Sequence, residues 1–337
     1  MTFVVSSIMR IAVLYSLPTR RAIASPYKAT DEDTKESAEE VGTALKIPKA
    51  DVVLVPVSED SMDVIDQVDA DCIFNLIEWD GLDTALSLSA FAKIEALHVP
   101  FTGPRLVLLE TFSDKVKMKE ALDVAGLPTP RWQLFTTGAE PVRVDFTYPL
   151  IVKLAWEHCS VGLTKDAIVE SERGLTSCVA ERLRVFHQPV YAEEFIVGRE
   201  FQVTVYSGKG GVVVLPPAEI TFKKSGTDAF LTFASRWDET HPEYRLSGVA
   251  LPKLPRPLAK ALTAVARETF TKLGFCDYGR LDIRARGETP YILEANINPG
   301  LSDDDEYGMT VSYRAAGMTF ADFVWEIVQS ALRRFKG

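Results

Sequence analysis

Two segments near the end of this 337-residue chain constrain it most: Gly279-Arg280-Leu281-Asp282-Ile283-Arg284 and Tyr291-Ile292-Leu293-Glu294-Ala295-Asn296-Ile297-Asn298-Pro299-Gly300. Apolar and polar residues alternate in each, as in a half-buried strand. The breaker-rich Arg286-Gly287-Glu288-Thr289-Pro290 between them predicts a hairpin. Residues i and i+2 of a strand face the same way. Arg280 and Asp282 therefore share a face, as do Glu294 and Asn296, and the two pairs can lie side by side. Asp, Glu and Asn are hard oxygen donors that suit Mg²⁺ held against phosphates, and an adjacent guanidinium stabilises charge on a transferring phosphoryl group or an oxyanion. Any one of the four is an ordinary polar residue at a strand end; the set, closed by Asn-Pro-Gly, points to a site.

The length suits two or three packed units rather than one core. Hydrophobic content of 47% with 25% charged residues is that of a folded globular protein. Against 37 Lys+Arg stand 47 Asp+Glu, a formal charge of -10, which argues against a nucleic-acid or anionic-membrane surface but leaves room for a local basic pocket. Cys72, Cys159, Cys178 and Cys276 form no Cys-x-x-Cys pair, so reduced thiols in a cytoplasmic protein are expected rather than a zinc cluster or disulfides. The first ten residues lack a basic n-region, and the apolar run after Arg10 is short. Neither a secretion signal nor a membrane span is expected, and Met9 is a candidate start.

Residues 10–15 read as a buried strand and 31–46 as a helix with acidic residues at its start. Segments 51–57, 61–67, 71–76 and 83–97 continue the alternation, predicting a parallel α/β unit over 10–104 that ends at Phe101-Thr102-Gly103-Pro104. A helix capped by Ser113 runs over 114–125 and opens a second unit, 105–188, with strands near 131–135, 149–154 and 166–170 and a helix over 171–186. Strands at 190–194, 200–206 and 211–215 predict an antiparallel sheet that also carries the hairpin. Helices 256–273 and 319–335 would cover it, giving an α+β unit over 189–337. Residues 223–250, polar and without period, are expected to form a long functional loop.

Lys153 ends an apolar strand just before the small-residue loop Cys159-Ser160-Val161-Gly162. An ammonium there can hold nucleotide phosphates while loop N–H groups cover them, although a strand-end Lys is more often a snorkelling surface group. Lys115, just beyond the helix cap, has simple surface charge as its plain reading. Backbone groups of Glu194 to Ile196 can read an adenine edge, and Glu200 can accept ribose hydroxyls; the plain reading is a solvated connection between strands. His98, His158, His187 and His241 show no metal-ligand spacing. With no Gly-x-Ser-x-Gly elbow and no Walker-type loop, serine-hydrolase and P-loop readings lose their main support.

The order Asp114-Lys115, Ile151-Val152-Lys153, Ser160-Val161-Gly162, Glu193-Glu194-Phe195, Gly198-Arg199-Glu200, Gly279-Arg280-Leu281-Asp282 and Glu294-Ala295-Asn296-Ile297-Asn298-Pro299-Gly300 resembles the ATP-grasp superfamily, and within it the D-alanine–D-alanine ligases. The resemblance runs from about Ile11 to the C-terminus and includes Phe74-Asn75-Leu76 and Phe101-Thr102-Gly103. It implies three lobes, the first Rossmann-like, with ATP between the middle and last. It places Lys115 and Lys153 on phosphates, Glu193, Glu194, Phe195 and Ile196 around adenine, Glu200 on ribose, and Asp282, Glu294 and Asn296 on two Mg²⁺ ions, with Mn²⁺ a possible substitute. Arg280 and the Gly300 N–H would stabilise the tetrahedral intermediate, and Ser160 is counted with them as catalytic. The implied reaction joins two small molecules. A carboxylate takes the γ-phosphoryl group, an amine captures the acyl phosphate, and ADP and phosphate leave. A homodimer is carried by the resemblance alone.

Departures from the family pattern fall on the substrate side. The family's N-terminal Glu, which holds the first substrate's ammonium, has no counterpart in Leu17-Pro18-Thr19-Arg20-Arg21, and its loop Ser and Tyr partners correspond to Cys159 and Trp237. Arg236 precedes that Trp and counts as a substrate candidate. After the Pro-Gly, the family places a Ser that binds the second substrate's carboxylate, whereas this chain offers the acidic run Ser302-Asp303-Asp304-Asp305-Glu306. That run, Asp305 included, can attract an ammonium or a further metal, or be a solvated turn. Arg21, with Arg20, either binds an anionic substrate group or lies on the surface. Cys159 is either a reactive thiol or a small loop residue. The expectation is an ATP-dependent carboxylate–amine ligase whose substrates are not two D-alanines; the alternatives are a D-alanine–D-alanine ligase proper and a nucleotide-binding regulatory protein without turnover.

Overall fold

A computed structural model of the protein describes residues 8–28 and 34–336, which form three sheets. The first is parallel, with β1 (Arg10–Ser16) between β2 (Asp51–Val57) and β3 (Cys72–Leu76). Ile11 to Leu14 are fully buried because both faces of the central strand are covered, which is why its sequence is apolar without alternation. Short α1 (Arg20–Ala24) follows β1, and α2 (Thr34–Lys46) packs on one face. The first residues expected in that helix, 31–33, lie outside the described residues. Segment 62–67 is a 3₁₀ turn, and α3 (Thr84–Ala96), entered through another at 81–83, covers the opposite face.

Next come α4 (Leu106–Phe112) and α5 (Lys115–Val124). The structure corrects the expected cap: Ser113 ends α4, its hydroxyl donating to Leu109 O, whereas the Asp114 carboxylate accepts the Val116 and Lys117 N–H groups. The middle sheet holds β4 (Trp132–Phe135), β5 (Leu150–Leu154), β6 (Ile168–Val169) and, beyond α6 (Glu172–Phe186), β7 (Val190–Glu194). Its order is β4-β7-β5-β6. Residues 190–194 thus belong here and not to the last sheet as expected, because they pair with both β4 and β5; the middle sheet runs past residue 188. Leu150, Val152, Leu154, Val190 and Ala192 meet α6, which leaves the alternate residues Ile151, Lys153, Tyr191 and Glu193 on the other face.

The last sheet contains β8 (Arg199–Gly208), β9 (Gly211–Val214), β10 (Ala218–Phe222), β11 (Ser247–Ala250), β12 (Tyr278–Arg286) and β13 (Thr289–Asn296) in the order β11-β10-β8-β12-β13, with β9 on β8. Segment 223–250 is less irregular than expected. It contains α7 (Phe233–Trp237) and ends in the edge strand β11. The helix α8 (Arg256–Lys272) packs on one face of this sheet. After α9 (Gly308–Ala315), α10 (Phe320–Lys336) does more than cover the last sheet. Its Phe323, Val324, Ile327 and Val328 share one cluster with Ile11 and Val13 of β1 and with Tyr206 and Tyr278 of the last sheet. That shared core brings the C-terminal end of β3 to the cavity-facing side of the β12–β13 hairpin.

Candidate active site

In the hairpin, Arg280 stands opposite Asn296 and Asp282 opposite Glu294. A register shift follows between Asp282 and Ile283, where Leu293 is the extra residue on β13. Simple alternation would turn Ile292 and Glu294 to one face. The bulge lets Ile292 stay in the core against α8 while Glu294 faces the cavity. Arg280 donates Nε to Asp282 Oδ1 at 2.9 Å and Nη2 to Oδ2 at 3.2 Å, and Asn296 Nδ2 donates to Asp282 Oδ2 at 3.3 Å. Glu294 Oε1 accepts from Lys115 Nζ, and His158 Nδ1 lies 3.2 Å from it. Burial pushes the Glu294 carboxyl up, but Lys115 and His158 outweigh it and hold the group well below its ordinary value. The buried Arg280 guanidinium is held above its ordinary value, Asp282 overcoming the desolvation.

These side chains line a cavity of about 250 Å³ between the sheets. Lys115, Lys153, Glu194, Phe195, Ile196 and Glu200 also face it, as do Ser160 and Gly300. Glu193 lines it as well but is fully buried, with Lys153 Nζ 2.6 Å from Oε1 and Lys119 Nζ 2.5 Å from Oε2. Arg284 ties the far wall together by donating to Glu200 Oε2 at 2.8 Å, to Ile196 O at 3.1 Å and to Ala229 O. Its guanidinium lies 4.5 Å from the centre of the Phe195 ring. The Gly300 turn is held by Tyr278, whose hydroxyl reaches Pro299 O at 3.1 Å and Asn298 Oδ1 at 3.2 Å.

Lys119, Arg284, Tyr278 and the contact of His158 with Glu294 were missed by the sequence reading. Two of them carry a period signal: Lys119 is one helical turn after Lys115, and Arg284 continues the face of Arg280 and Asp282. Among the described residues no three His, Cys, Asp or Glu side chains cluster as a metal site. The expected donor set is two carboxylates plus the Asn296 amide, and hard oxygens of this kind on neighbouring strands of a cavity fit Mg²⁺.

At the substrate end the candidates divide. Trp237 Nε1 donates to the Cys159 carbonyl at 2.9 Å, and Arg236 lies beside that ring; all three residues line the cavity. Cys159 and Ser160 adopt left-handed φ values of 53° and 63°, so this loop holds a conformation that side chains disfavour. Arg21, Ser302 and Asp305 are placed elsewhere. Arg21 pairs with Asp83 at 2.6 Å, Asp305 pairs with Arg314, and the Ser302 hydroxyl accepts the Asp304 N–H. Arg314 also binds Asp303 at 2.7 Å, so the acidic run is partly neutralised within its own turn rather than offered to the cavity. Phe233, at the start of α7, packs edge-on against Tyr27 with centroids 4.7 Å apart, and its N–H donates to Leu163 O. The short helix is thereby docked over the cavity from three sides. Trp237→Phe removes one latch bond worth about 1 kcal/mol, so kcat/KM is expected to fall roughly fivefold. Steady-state kinetics check this, and unchanged kcat/KM would remove the latch role.

The family description "D-ala D-ala ligase C-terminus" matches residues 122–329. The chain belongs to the D-alanine–D-alanine ligase family. A D-alanine–D-alanine ligase of Nitrosococcus oceani is 30% identical over 244 residues, covering 72% of each protein. In fold, the chain matches the D-alanine–D-alanine ligase of Bacillus anthracis with a TM-score of 0.74 at 20% identity, covering 97% of this chain and 99% of that one. The D-Ala:D-Ser ligase of Enterococcus faecalis matches with a TM-score of 0.72 at 16% identity, covering 96% and 99%. Family membership makes the chain an ATP-grasp ligase, an enzyme that forms C–N bonds. Among the described residues no helix is long and apolar enough to cross a membrane.

Proposed function

We propose that the enzyme joins a small carboxylate to a small amine through an acyl phosphate, in a pocket unlike that of the D-alanine–D-alanine ligases. The observation that carries the chemistry is the convergence of Lys115, Lys153, Arg280, Asp282, Glu294 and Asn296 on one cavity. In this reading Lys115 and Lys153 hold the ATP phosphates, Glu194 to Ile196 frame the adenine with Glu193 behind them, and Glu200 accepts ribose hydroxyls. Asp282, Glu294 and Asn296 hold Mg²⁺, which when bound neutralises phosphate charge. Arg280 and the Gly300 N–H face the oxyanion formed when the amine attacks, and the Ser160 loop covers the phosphates. The lobes divide near residue 104 and, with β7 assigned to the middle one, between Glu194 and Arg199.

The substrate half of the proposal rests on four side chains. Thr19, in the β1–α1 turn where the family supplies its Glu, caps α1 and donates to Asp83 Oδ2 at 2.7 Å, while Arg20 pairs with the exposed Asp60 and Arg21 with the half-buried Asp83. Trp237 binds a backbone carbonyl where the family uses a Tyr–Ser contact. The relatives' names favour a second reading, in which D-alanine is both donor and acceptor.

ADP release across D- and L-amino acids, diamines and other carboxylates, followed by product mass, separates the two. The expected result is little turnover with D-alanine alone and strong turnover with another pair, giving a product equal to the pair minus water. Efficient D-alanyl-D-alanine synthesis would overturn the distinct pocket, and ADP release by no pair at all would overturn the ligase reading.

A further inference from the structure

Behind Lys153 lies a fully buried ion pair, Lys119 with Glu193, and Lys119 has no part in the chemistry above. Ile151, Lys153, Tyr191 and Glu193 share the cavity-side face of the middle sheet, with Ile151 directly opposite Glu193 and Lys153 opposite Tyr191. Glu193 therefore has Lys153 as its diagonal neighbour, within reach of a long side chain. Its second oxygen is taken by Lys119, which rises from α5 and is also 0% exposed. The Lys119 ammonium donates to Thr129 Oγ1 at 2.5 Å as well, and that hydroxyl donates to Ile292 O at 2.9 Å. Lys119 does not line the cavity, whereas Lys153 does. Tyr191, buried beside Glu193, is held well above its ordinary value by burial and by that carboxylate, so it adds no charge.

The charges in this group do not cancel. Two ammonium groups face one carboxylate, and the surplus positive charge belongs to the member that reaches the cavity. Without Lys119, the carboxylate and Lys153 would be a neutral, tightly held pair, and a buried carboxylate with one partner holds that partner harder. Burial pushes the Lys119 ammonium below its ordinary value while Glu193 opposes the shift, as it does for a paired interior cation.

We infer that Lys119 is a positioning residue: by balancing the Glu193 carboxylate from behind, it leaves Lys153 available as a cation for the nucleotide's phosphates. The inference rests on the proposed phosphate role of Lys153, and titration of the full-length chain with AMP-PNP and Mg²⁺ and, separately, with adenosine tests both.

Lys153→Met is expected to weaken AMP-PNP binding at least tenfold. Lys119→Met is expected to weaken it about tenfold although the residue touches no ligand, with adenosine affinity unchanged. The double variant Lys119→Met/Glu193→Gln, which again leaves Lys153 uncompensated, should recover to within about threefold of wild type. If Lys153→Met has no effect, the phosphate reading fails and the inference with it. If Lys153→Met weakens binding but Lys119→Met does not, only the inference fails. Loss of adenosine and AMP-PNP affinity together in Lys119→Met, or a double variant no better than that single one, would show that Lys119 merely packs. Should Lys119→Met not fold, Glu193→Gln decides: freeing both lysines tightens AMP-PNP binding several-fold if the inference holds, and unchanged or weaker binding overturns it.

Discussion

Glu294→Gln is expected to lower substrate-dependent ADP release by about 10³-fold, or about 4 kcal/mol of transition-state stabilisation, without unfolding the protein. The substitution keeps the side chain's size and removes one charge from the place where Lys115 and His158 converge. A neutral amide is a poor ligand for a hard cation, and it leaves the Lys115 ammonium without its partner. The same variant tests the electrostatics by its melting temperature. Glu294 is held well below its ordinary value of 4.5 in the folded protein. The stability it contributes is therefore present above about pH 4.5 and is lost as pH falls through the lower folded value. The gap in melting temperature between wild type and Glu294→Gln should be largest above that pH and close in acid. Turnover within tenfold of wild type would remove Glu294 from the chemistry, and a gap that widens in acid would reverse the assigned sign.

The hairpin was legible because two short-range rules, alternation and breaker-rich turns, act within twenty-two residues, and the observed pairing of Arg280 with Asn296 and of Asp282 with Glu294 follows from them. The bulge at Leu293 was not legible, since it answers a demand from α8 on the far side of the sheet. The same distinction governs the placement of β7. Its sequence announces a strand, but nothing local tells a strand which sheet will accept it, and Val190–Glu194 joins β4 and β5 rather than the strand that follows it. Charged residues behaved likewise. Arg21, Ser302 and Asp305 were plausible ligand contacts by position, yet Asp83, Asp304 and Arg314 engage them away from the cavity. Lys119 could be placed on one helical face with Lys115, but its carboxylate partner lies 74 positions away on β7, a pairing that only the packed middle sheet defines.

Gly198→Ala is expected to destabilise the protein by about 3 kcal/mol and to weaken nucleotide binding together with it. A Cβ at this position would lie 2.0 Å from Ala285 O and 2.9 Å from Ala285 C. Both are backbone atoms of β12, which is hydrogen-bonded to β8 on one side and β13 on the other, and Ala285 itself is buried. No rotamer change relieves such a clash; either β12 or the entry to β8 must move. Movement of β12 carries Asp282 and Arg284 with it, and movement of β8 carries Glu200, whose bond to Arg284 is 2.8 Å. The glycine and the glutamate of Gly198-Arg199-Glu200 are thus tied for different reasons, one to let two backbones meet and the other to reach the cavity wall. Gly210→Ala is the matched control, because nothing lies within 4 Å of its Cβ position. Thermal melts of the two variants should differ by several degrees, with Gly210→Ala near wild type. If Gly198→Ala melts with it, β8 and β12 do not approach as closely at this point as the clash requires, and the packing that aligns Glu200 with Arg284 would need another source.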